Sequence, residues 1–137
     1  MTRKKQSRAG MVALCLLTYF MVAADWPQFR GPGGAVVLGW AGSEAVACAG
    51  LRPLGDGVLE LKHFYLAPAF RRRGLGRALL TGVEQLAREL GACRIVLDTA
   101  SRLTEATALY VSAGYVPIPR YNDNPHCSAW FGRELGG

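Results

Sequence analysis

Leu59-Glu60-Leu61-Lys62-His63-Phe64-Tyr65-Leu66-Ala67-Pro68-Ala69-Phe70-Arg71-Arg72-Arg73-Gly74-Leu75-Gly76-Arg77-Ala78-Leu79-Leu80 is the stretch on which the reading of this chain turns. It reads as a strand, a short basic turn, a glycine pair and the start of a helix. Backbone N–H groups in the first turn of a helix lack intrahelical partners and attract anions. Glycines let the backbone approach a ligand with no Cβ in the way. Arg71, Arg72, Arg73 and Arg77 add positive charge at the same place. A pyrophosphate is the expected guest.

Two common phosphate-binding patterns do not fit. The dinucleotide fingerprint G-x-G-x-x-G/A needs a small residue where Leu79 stands, and the P-loop needs a Gly-Lys-Ser/Thr string that is absent. What remains is Arg-x-x-Gly-x-Gly, Arg71 to Gly76, after a strand ending Tyr65-Leu66-Ala67-Pro68. This string resembles motif A of the GNAT family of N-acetyltransferases, in which the turn holds the pyrophosphate of coenzyme A. Leu109-Tyr110-Val111-Ser112-Ala113-Gly114-Tyr115 resembles the family's second signature, Leu-Tyr-x-x-x-Gly-Phe/Tyr. Tyr121-Asn122-Asp123-Asn124-Pro125-His126 followed by Trp130-Phe131 is similar to the tail of small bacterial members. The resemblance runs from about residue 35 to residue 135.

Working outward, residues 35–40 read as an apolar strand, 41–44 as a tight turn and 45–51 as a second strand, a hairpin. Pro53 to Gly57 reads as another turn, and Val58–Leu66 as a third strand. Helical spacing of Leu75, Leu79, Val83, Leu86 and Leu90 predicts a helix over 74–90, with Gly91 just past its end. Residues 93–97 read as a buried strand. A second helix carries Ala106, Leu109, Tyr110 and Ala113 on one face and stops at Gly114. Residues 115–118 and 128–135 read as closing strands joined by a polar loop. The order is β-β-β-α-β-α-β-β. The expected class is α/β in the α+β sense: a GNAT-like mixed, mostly antiparallel twisted sheet flanked by helices, its N-terminal part shortened or replaced.

The first residues read differently. Thr2 to Arg8 is basic and polar, and Met11 to Ala24 is an apolar run ending Val22-Ala23-Ala24. A charged start, a short apolar middle and small residues before Asp25 make the pattern of a secretory signal. A buried strand or helix with a basic lead-in is the alternative. Trp26-Pro27-Gln28-Phe29-Arg30-Gly31-Pro32 resembles the opening of exported quinoprotein-like propeller proteins, but no repeated blades follow. Residues 1–34 are therefore expected to be a signal-like or atypical segment, and 35–137 the N-acetyltransferase domain.

At 137 residues one domain is expected, and 50% hydrophobic residues suffice for a core. The net charge of +6 suggests nucleic acid at first sight. Arg3, Lys4, Lys5 and Arg8 lie in the first segment with no acid beside them, leaving twelve basic against ten acidic residues from Asp25 on. No basic stripe interleaved with aromatics remains, so no nucleic-acid partner is expected. Cys15, Cys48, Cys93 and Cys127 lack metal-ligand spacing and are read as reduced thiols; no metal is expected.

The resemblance implies acetyl-CoA as co-substrate and direct transfer of its acetyl group to a primary amine of a small molecule or peptide. The implied coenzyme contacts are the main chain of Phe64, Tyr65 and Leu66, which would bond the pantetheine arm as an added strand does, and the turn Arg71, Arg72, Arg73, Gly74, Leu75, Gly76 and Arg77. Tyr110 is the implied proton donor to the departing sulfur; an ordinary phenol is protonated at neutral pH. Glu60 is the candidate base or acceptor contact, placed by strand alternation with Lys62 and Phe64 and opposite Leu59, Leu61, His63 and Tyr65. Asn122 and His126 are candidate acceptor contacts, and His63 a further candidate base. Cys127 has no triad around it, and Asp98 ends a strand near the site. The family often has Asn seven residues before the helix tyrosine; here Leu103 stands there. Its usual first strand and helices, part of the acceptor wall, are replaced by the signal-like segment. A coenzyme-binding module lacking a complete acceptor site is thus the alternative to an enzyme, and a homodimer could supply the missing wall. A cytoplasmic location is expected because acetyl-CoA is a cytosolic metabolite. Export or membrane tethering through residues 2–24 is the alternative.

Overall fold

The computed structural model describes residues 34–136, together with the backbones of two preceding strands, β1 (Val12–Leu14) and β2 (Thr18–Ala23). The rest of the signal-like stretch, the Trp26–Pro32 string and Cys15 lie outside the described residues. The chain continues as β3 (Ala35–Ala41), β4 (Glu44–Gly55), β5 (Val58–Leu66), a 3-10 turn (Pro68–Phe70), α1 (Leu75–Glu89), β6 (Arg94–Thr99), α2 (Thr104–Ser112), β7 (Val116–Pro117) and β8 (Ala129–Glu134). From Ala35 on, the order is the one expected from the sequence.

One sheet holds all the strands in the order β1-β2-β3-β4-β5-β6-β8-β7. Every neighbouring pair is antiparallel except β5 with β6, which are parallel and joined through α1. A parallel pair needs such a crossover, whereas β3 with β4 and β4 with β5 close through two-residue turns. β8 inserts between β6 and β7, pairing Asp98 with Trp130 and Val116 with Gly132. The mixed, mostly antiparallel sheet with helices is therefore as expected.

The core lies on one face of the sheet. Leu51, Leu59, Leu61, Ile95, Leu97 and Phe131 meet Leu79, Leu80, Val83 and Ala87 of α1 and Tyr110 of α2. Three details differ from the sequence reading. First, β4 runs through Pro53 to Gly55, so the turn shrinks to Asp56 and Gly57, both at positive φ. Second, the buried stripe of α1 is rotated: Leu79, Leu80, Val83, Glu84 and Ala87 face inward, while Leu90 is 39% exposed. Glu84 tolerates burial because the Arg133 guanidinium of β8 pairs with it; an unpaired carboxylate would not be held there. Third, the closing strand β7 is only two residues long.

The rotated stripe is testable. Leu79→Ala should cost about 3 kcal/mol, the value typical of a fully buried leucine, whereas Leu90→Ala should change stability by less than about 0.5 kcal/mol. Urea denaturation of both variants measures the contrast, and equal losses would restore the unrotated stripe.

Candidate functional site

The site begins with one extra residue in β5. Against β4, Lys62 stands opposite Gly50 and Tyr65 opposite Cys48, so β5 spends three steps where β4 spends two. The surplus is a β-bulge at His63, whose φ is 54°. Its carbonyl accepts the Cys48 thiol at 3.4 Å. The bulge resets the alternation of the strand. Strict alternation groups Phe64 with Glu60 and Lys62, but Phe64 and Leu66 instead pack against the same core as Leu59 and Leu61.

The bulge also ends the contact with β6. Parallel pairing runs from Val58 opposite Arg94 to Leu61 opposite Leu97 and stops there. Beyond it β5 continues to Leu66 and β6 to Thr99 without a shared ladder. The strands part into a cleft of about 290 Å³ lined by Lys62, His63 and Phe64 on one side and Asp98, Thr99 and Ala100 on the other. Leu103, Ala106 and Tyr110 of the second helical region, and His126 and Cys127 of the β7–β8 loop, complete it. On its β6 side the main chain of β5 past Leu61 is left with polar groups able to bond an extended guest, as an added strand would.

The basic turn follows directly. Gly74 caps α1 at φ 75° with no side-chain hydrogen bond to the helix start. Ala78 N–H donates to the Gly74 carbonyl at 3.1 Å, closing the first turn and leaving the preceding N–H groups unbonded within the helix. At Gly76 a Cβ would come within 3.3 Å of Leu109 Cδ2, so this glycine lets α1 approach α2. The arginines are locally tethered. Arg71 Nε donates to the Leu66 carbonyl at 2.8 Å, and its guanidinium lies 5.9 Å from the Tyr65 ring centre. Arg73 lies 5.9 Å from the Phe70 ring centre, and Arg77 donates to Ser112 Oγ at 2.6 Å. Of the four, Arg72 is paired with a carboxylate, that of Glu105 at 3.0 Å. The turn keeps a net positive charge beside the open helix start.

Tyr110 reaches the cleft from α2. It is 5% exposed, with the Phe64 ring edge-on at 5.9 Å and the Tyr115 ring at 5.8 Å. Burial pushes its phenol up to about 12, so it carries its proton throughout the neutral range. Leu103 stands at the N-cap of α2, lines the cleft and offers no cap.

The opposite face of the sheet holds a polar network. Glu60 is fully buried; it accepts from Arg52 at 2.5 Å and from the Tyr121 hydroxyl at 2.7 Å, and Lys62 Nζ lies 3.5 Å away. It does not line the cleft. Asp98 does; it accepts from Lys62 at 2.9 and 3.0 Å, from Asn122 at 2.6 Å and from Asn124 at 3.2 Å. Burial pushes the Asp98 carboxyl up, but donation from Lys62, Asn122 and Asn124 outweighs it and holds the group below its usual range. Asn122 faces these carboxylates, not the cleft, and of the three acceptor-side candidates only His126 lines it. Burial and the nearby Asp98 carboxylate push the Cys127 thiol up, a setting that keeps it a thiol rather than a nucleophilic thiolate. Lys62, Asp98 and Asn124 escape a reading of the sequence because Asp98 and the loop lie far apart in the chain. The one hint was Asp98 at the end of its strand.

Among the described residues no helix is long and apolar enough to cross a membrane. Comparison with known proteins bears on the site as a whole. The sequence model of the acetyltransferase (GNAT) family matches residues 12–115. An uncharacterised N-acetyltransferase of Escherichia coli is 36% identical over 93 residues, 66% of this chain and 56% of that protein. One of Schizosaccharomyces pombe is 35% identical over 82 residues, 59% of this chain and 50% of that protein. The chain thus spans about half the length of the curated relatives it matches. Among solved structures, a proposed acyl-CoA N-acyltransferase of Klebsiella pneumoniae superposes with a TM-score of 0.68 at 27% identity, over 80% of this chain and 74% of that one. A GNAT acetyltransferase of Elizabethkingia anophelis, solved with acetyl-CoA bound, shares the fold with a TM-score of 0.64 at 21% identity, over 74% of this chain and 76% of that one.

The lowered Asp98 carboxyl has a consequence for acid stability. Its ionised partnership contributes stability that is full above the unfolded-state value of about 3.9 and is lost as pH falls through the lower folded value. Asp98→Asn should therefore be less stable than wild type at neutral pH, and the gap should narrow below about pH 4. Thermal unfolding across that range measures it; a gap independent of pH would mean that the carboxylate charge contributes nothing.

Proposed function

The chain belongs to the acetyltransferase (GNAT) family, and from that premise we propose that it is an acetyl-CoA-dependent N-acetyltransferase acting on a primary amine by direct attack in a ternary complex. The observation that carries this reading is the parting of β5 and β6 beside an uncapped, arginine-flanked helix start. An extended arm ending in a pyrophosphate needs an unpaired strand edge and an anion site within reach of each other, and both occur within residues 62–77. We assign residues 35–137 as the part that carries the coenzyme site. Main-chain groups of Phe64, Tyr65 and Leu66 bond the pantetheine amides. The N–H groups from Gly74 to Arg77, with Arg71, Arg72 and Arg73 around them, take the pyrophosphate.

In the reaction the acceptor nitrogen attacks the thioester carbonyl, the C–N bond forms, and the C–S bond breaks. The sulfur leaves with a proton from the Tyr110 hydroxyl, which is protonated throughout the neutral range, and the phenolate left behind regains a proton from solvent. The proton shed by the amine passes through water, with His126 as the imidazole that lines the cleft. Glu60 contributes as the buried anion that holds Lys62 and Tyr121 in place. An acidic or neutral acceptor suits this cleft as well as a basic one, so the acceptor class stays at primary amine. In this reading the protein works in the cytoplasm, where acetyl-CoA is made and used.

The saturation of both carboxylates by internal partners favours one second reading, a module that binds acyl-CoA without completing an acceptor site. Turnover separates the two. Calorimetric titration of acetyl-CoA into the full chain should show a single site that weakens at least about tenfold in Arg71→Ala, which removes the guanidinium between the strand end and the turn. Tyr110→Phe should bind acetyl-CoA as wild type does while kcat with the best amine of a panel falls about 10²-fold. A folded wild type that binds no acetyl-CoA would sink the proposal. Binding with no turnover of any amine would move it to the second reading.

A further inference from the structure

The residue that joins the two buried carboxylates to the loop over the cleft is Asn122. Its Nδ2 lies 2.6 Å from Asp98 Oδ2 and 3.5 Å from Glu60 Oε2. Its Oδ1 accepts the Trp130 indole N–H at 2.9 Å and the Asn124 backbone N–H at 3.4 Å. Both ends of the amide are therefore spent inside the protein, which leaves little for a ligand. The loop it belongs to is also held by Tyr121 on Glu60 at 2.7 Å, by Asn124, which donates to Asp98 at 3.2 Å and accepts the His126 N–H at 3.1 Å, and at its far end, where Ser128 N–H donates to the Thr99 carbonyl at 3.0 Å and Ser128 Oγ accepts from Ser101 N–H at 2.8 Å. Between Tyr121 and Ser128 stand His126 and Cys127, the two loop residues that line the cleft.

We propose that Asn122 is a positioning residue for the acceptor side of the cleft: its amide ties the β7–β8 loop to Asp98 and Glu60 and so sets where His126 stands. The functional half of this proposal rests on the acetyltransfer reading; the structural half does not. The chemistry selects this residue type. One end must donate toward carboxylates while the other accepts two N–H groups, and an amide of this length does both. A carboxylate could do only the second. The charged groups around position 122 are Arg52 from β4, Glu60 and Lys62 from β5, Asp98 from β6, and from the loop itself Arg120, whose Nε donates to the Asn122 carbonyl at 2.7 Å, with Asp123 3.7 Å from its guanidinium. Tyr121, His126 and Cys127 are the other titratable groups of the loop. Three cations against three carboxylates are already in balance, so a further carboxylate has no counter-charge.

That balance yields a pH test in the full chain. In Asn122→Asp the introduced carboxyl sits beside two like charges, which raises its folded-state pKa. Protonated, it still donates one hydrogen bond and the loop stays closed; as pH rises through the raised value that bond is lost and repulsion replaces it. Hydrogen exchange of peptides spanning residues 119–128, corrected for intrinsic rates, reads the loop at about pH 5.5 and about pH 8.5, on either side of a raised carboxyl. Wild type should be protected equally at both. Asn122→Asp should match it at the lower pH and exchange at least about tenfold faster at the higher, and Asn122→Leu should exchange fast at both. Acetyl-CoA affinity, read by calorimetry, should stay within about twofold of wild type in both variants, and in Asn122→Asp the kcat/KM for the panel amine, taken relative to wild type, should fall as pH rises. Wild-type-like protection of Asn122→Asp at both pH values, or an equal defect at both, would overturn the proposal. So would a kcat/KM for the panel amine that keeps the same ratio to wild type at both pH values. Failure of wild type to bind acetyl-CoA would remove the enzymatic reading yet leave the exchange result to decide the positioning role.

Discussion

One surplus residue in β5 governs this molecule. A parallel ladder between β5 and β6 could in principle have continued to the ends of both strands, and side-chain periodicity gives no reason for it to stop at Leu61. The bulge at His63 supplies the reason. It bends and twists the strand locally, turns Phe64 and Leu66 toward the helices, and parts β5 from β6 where α2 delivers Tyr110. Backbone polar groups are strong hydrogen-bonding groups that need partners. The strand edge freed in the middle of the sheet offers main-chain groups of the kind that an extended, amide-rich partner pairs with.

The rest of the fold can be read as support for that opening. α1 is needed to carry the chain from β5 to its parallel neighbour, and its first turn, capped only by Gly74, stands next to the end of the freed edge. Gly76 brings α2 close enough to α1 for Leu109 to lie against it. The insertion of β8 between β6 and β7 holds β6 in place without closing the cleft, because it pairs with the other edge of β6. On the far face, electrostatics replaces hydrophobic packing. Glu60 and Asp98 are buried charges of a kind that is costly unless paired and hydrogen-bonded, and Arg52, Lys62, Tyr121, Asn122 and Asn124 meet that requirement. The cost of leaving any of them unpaired is what locks the β7–β8 loop across the cleft.

The two sides of the cleft differ in what they ask of side chains. In the proposed reading the coenzyme side relies on main chain, on two glycines and on the summed charge of a turn, so its sequence pattern is short and contiguous. The proposed acceptor side relies on side chains from four separate segments, meeting only after folding.

Much of this was legible in the residues themselves. Strand and helix order from Ala35 and the glycine-led start of α1 after a basic turn follow from local periodicity, turn residues and motif spacing. Each of these depends on neighbours within a few turns of chain, and so the sequence alone could determine them. The bulge at His63, the rotation of the α1 stripe that buries Glu84, and the burial of Glu60 away from the cleft could not be read that way. They are settled by partners distant in sequence: β4 across the ladder from His63, Arg133 beside Glu84, and Tyr121 with Arg52 around Glu60. Local propensity has no term for a guanidinium that arrives from 49 residues away or a hydroxyl from 61, and only the tertiary structure decides whether a carboxylate faces a ligand or is fully used within the protein.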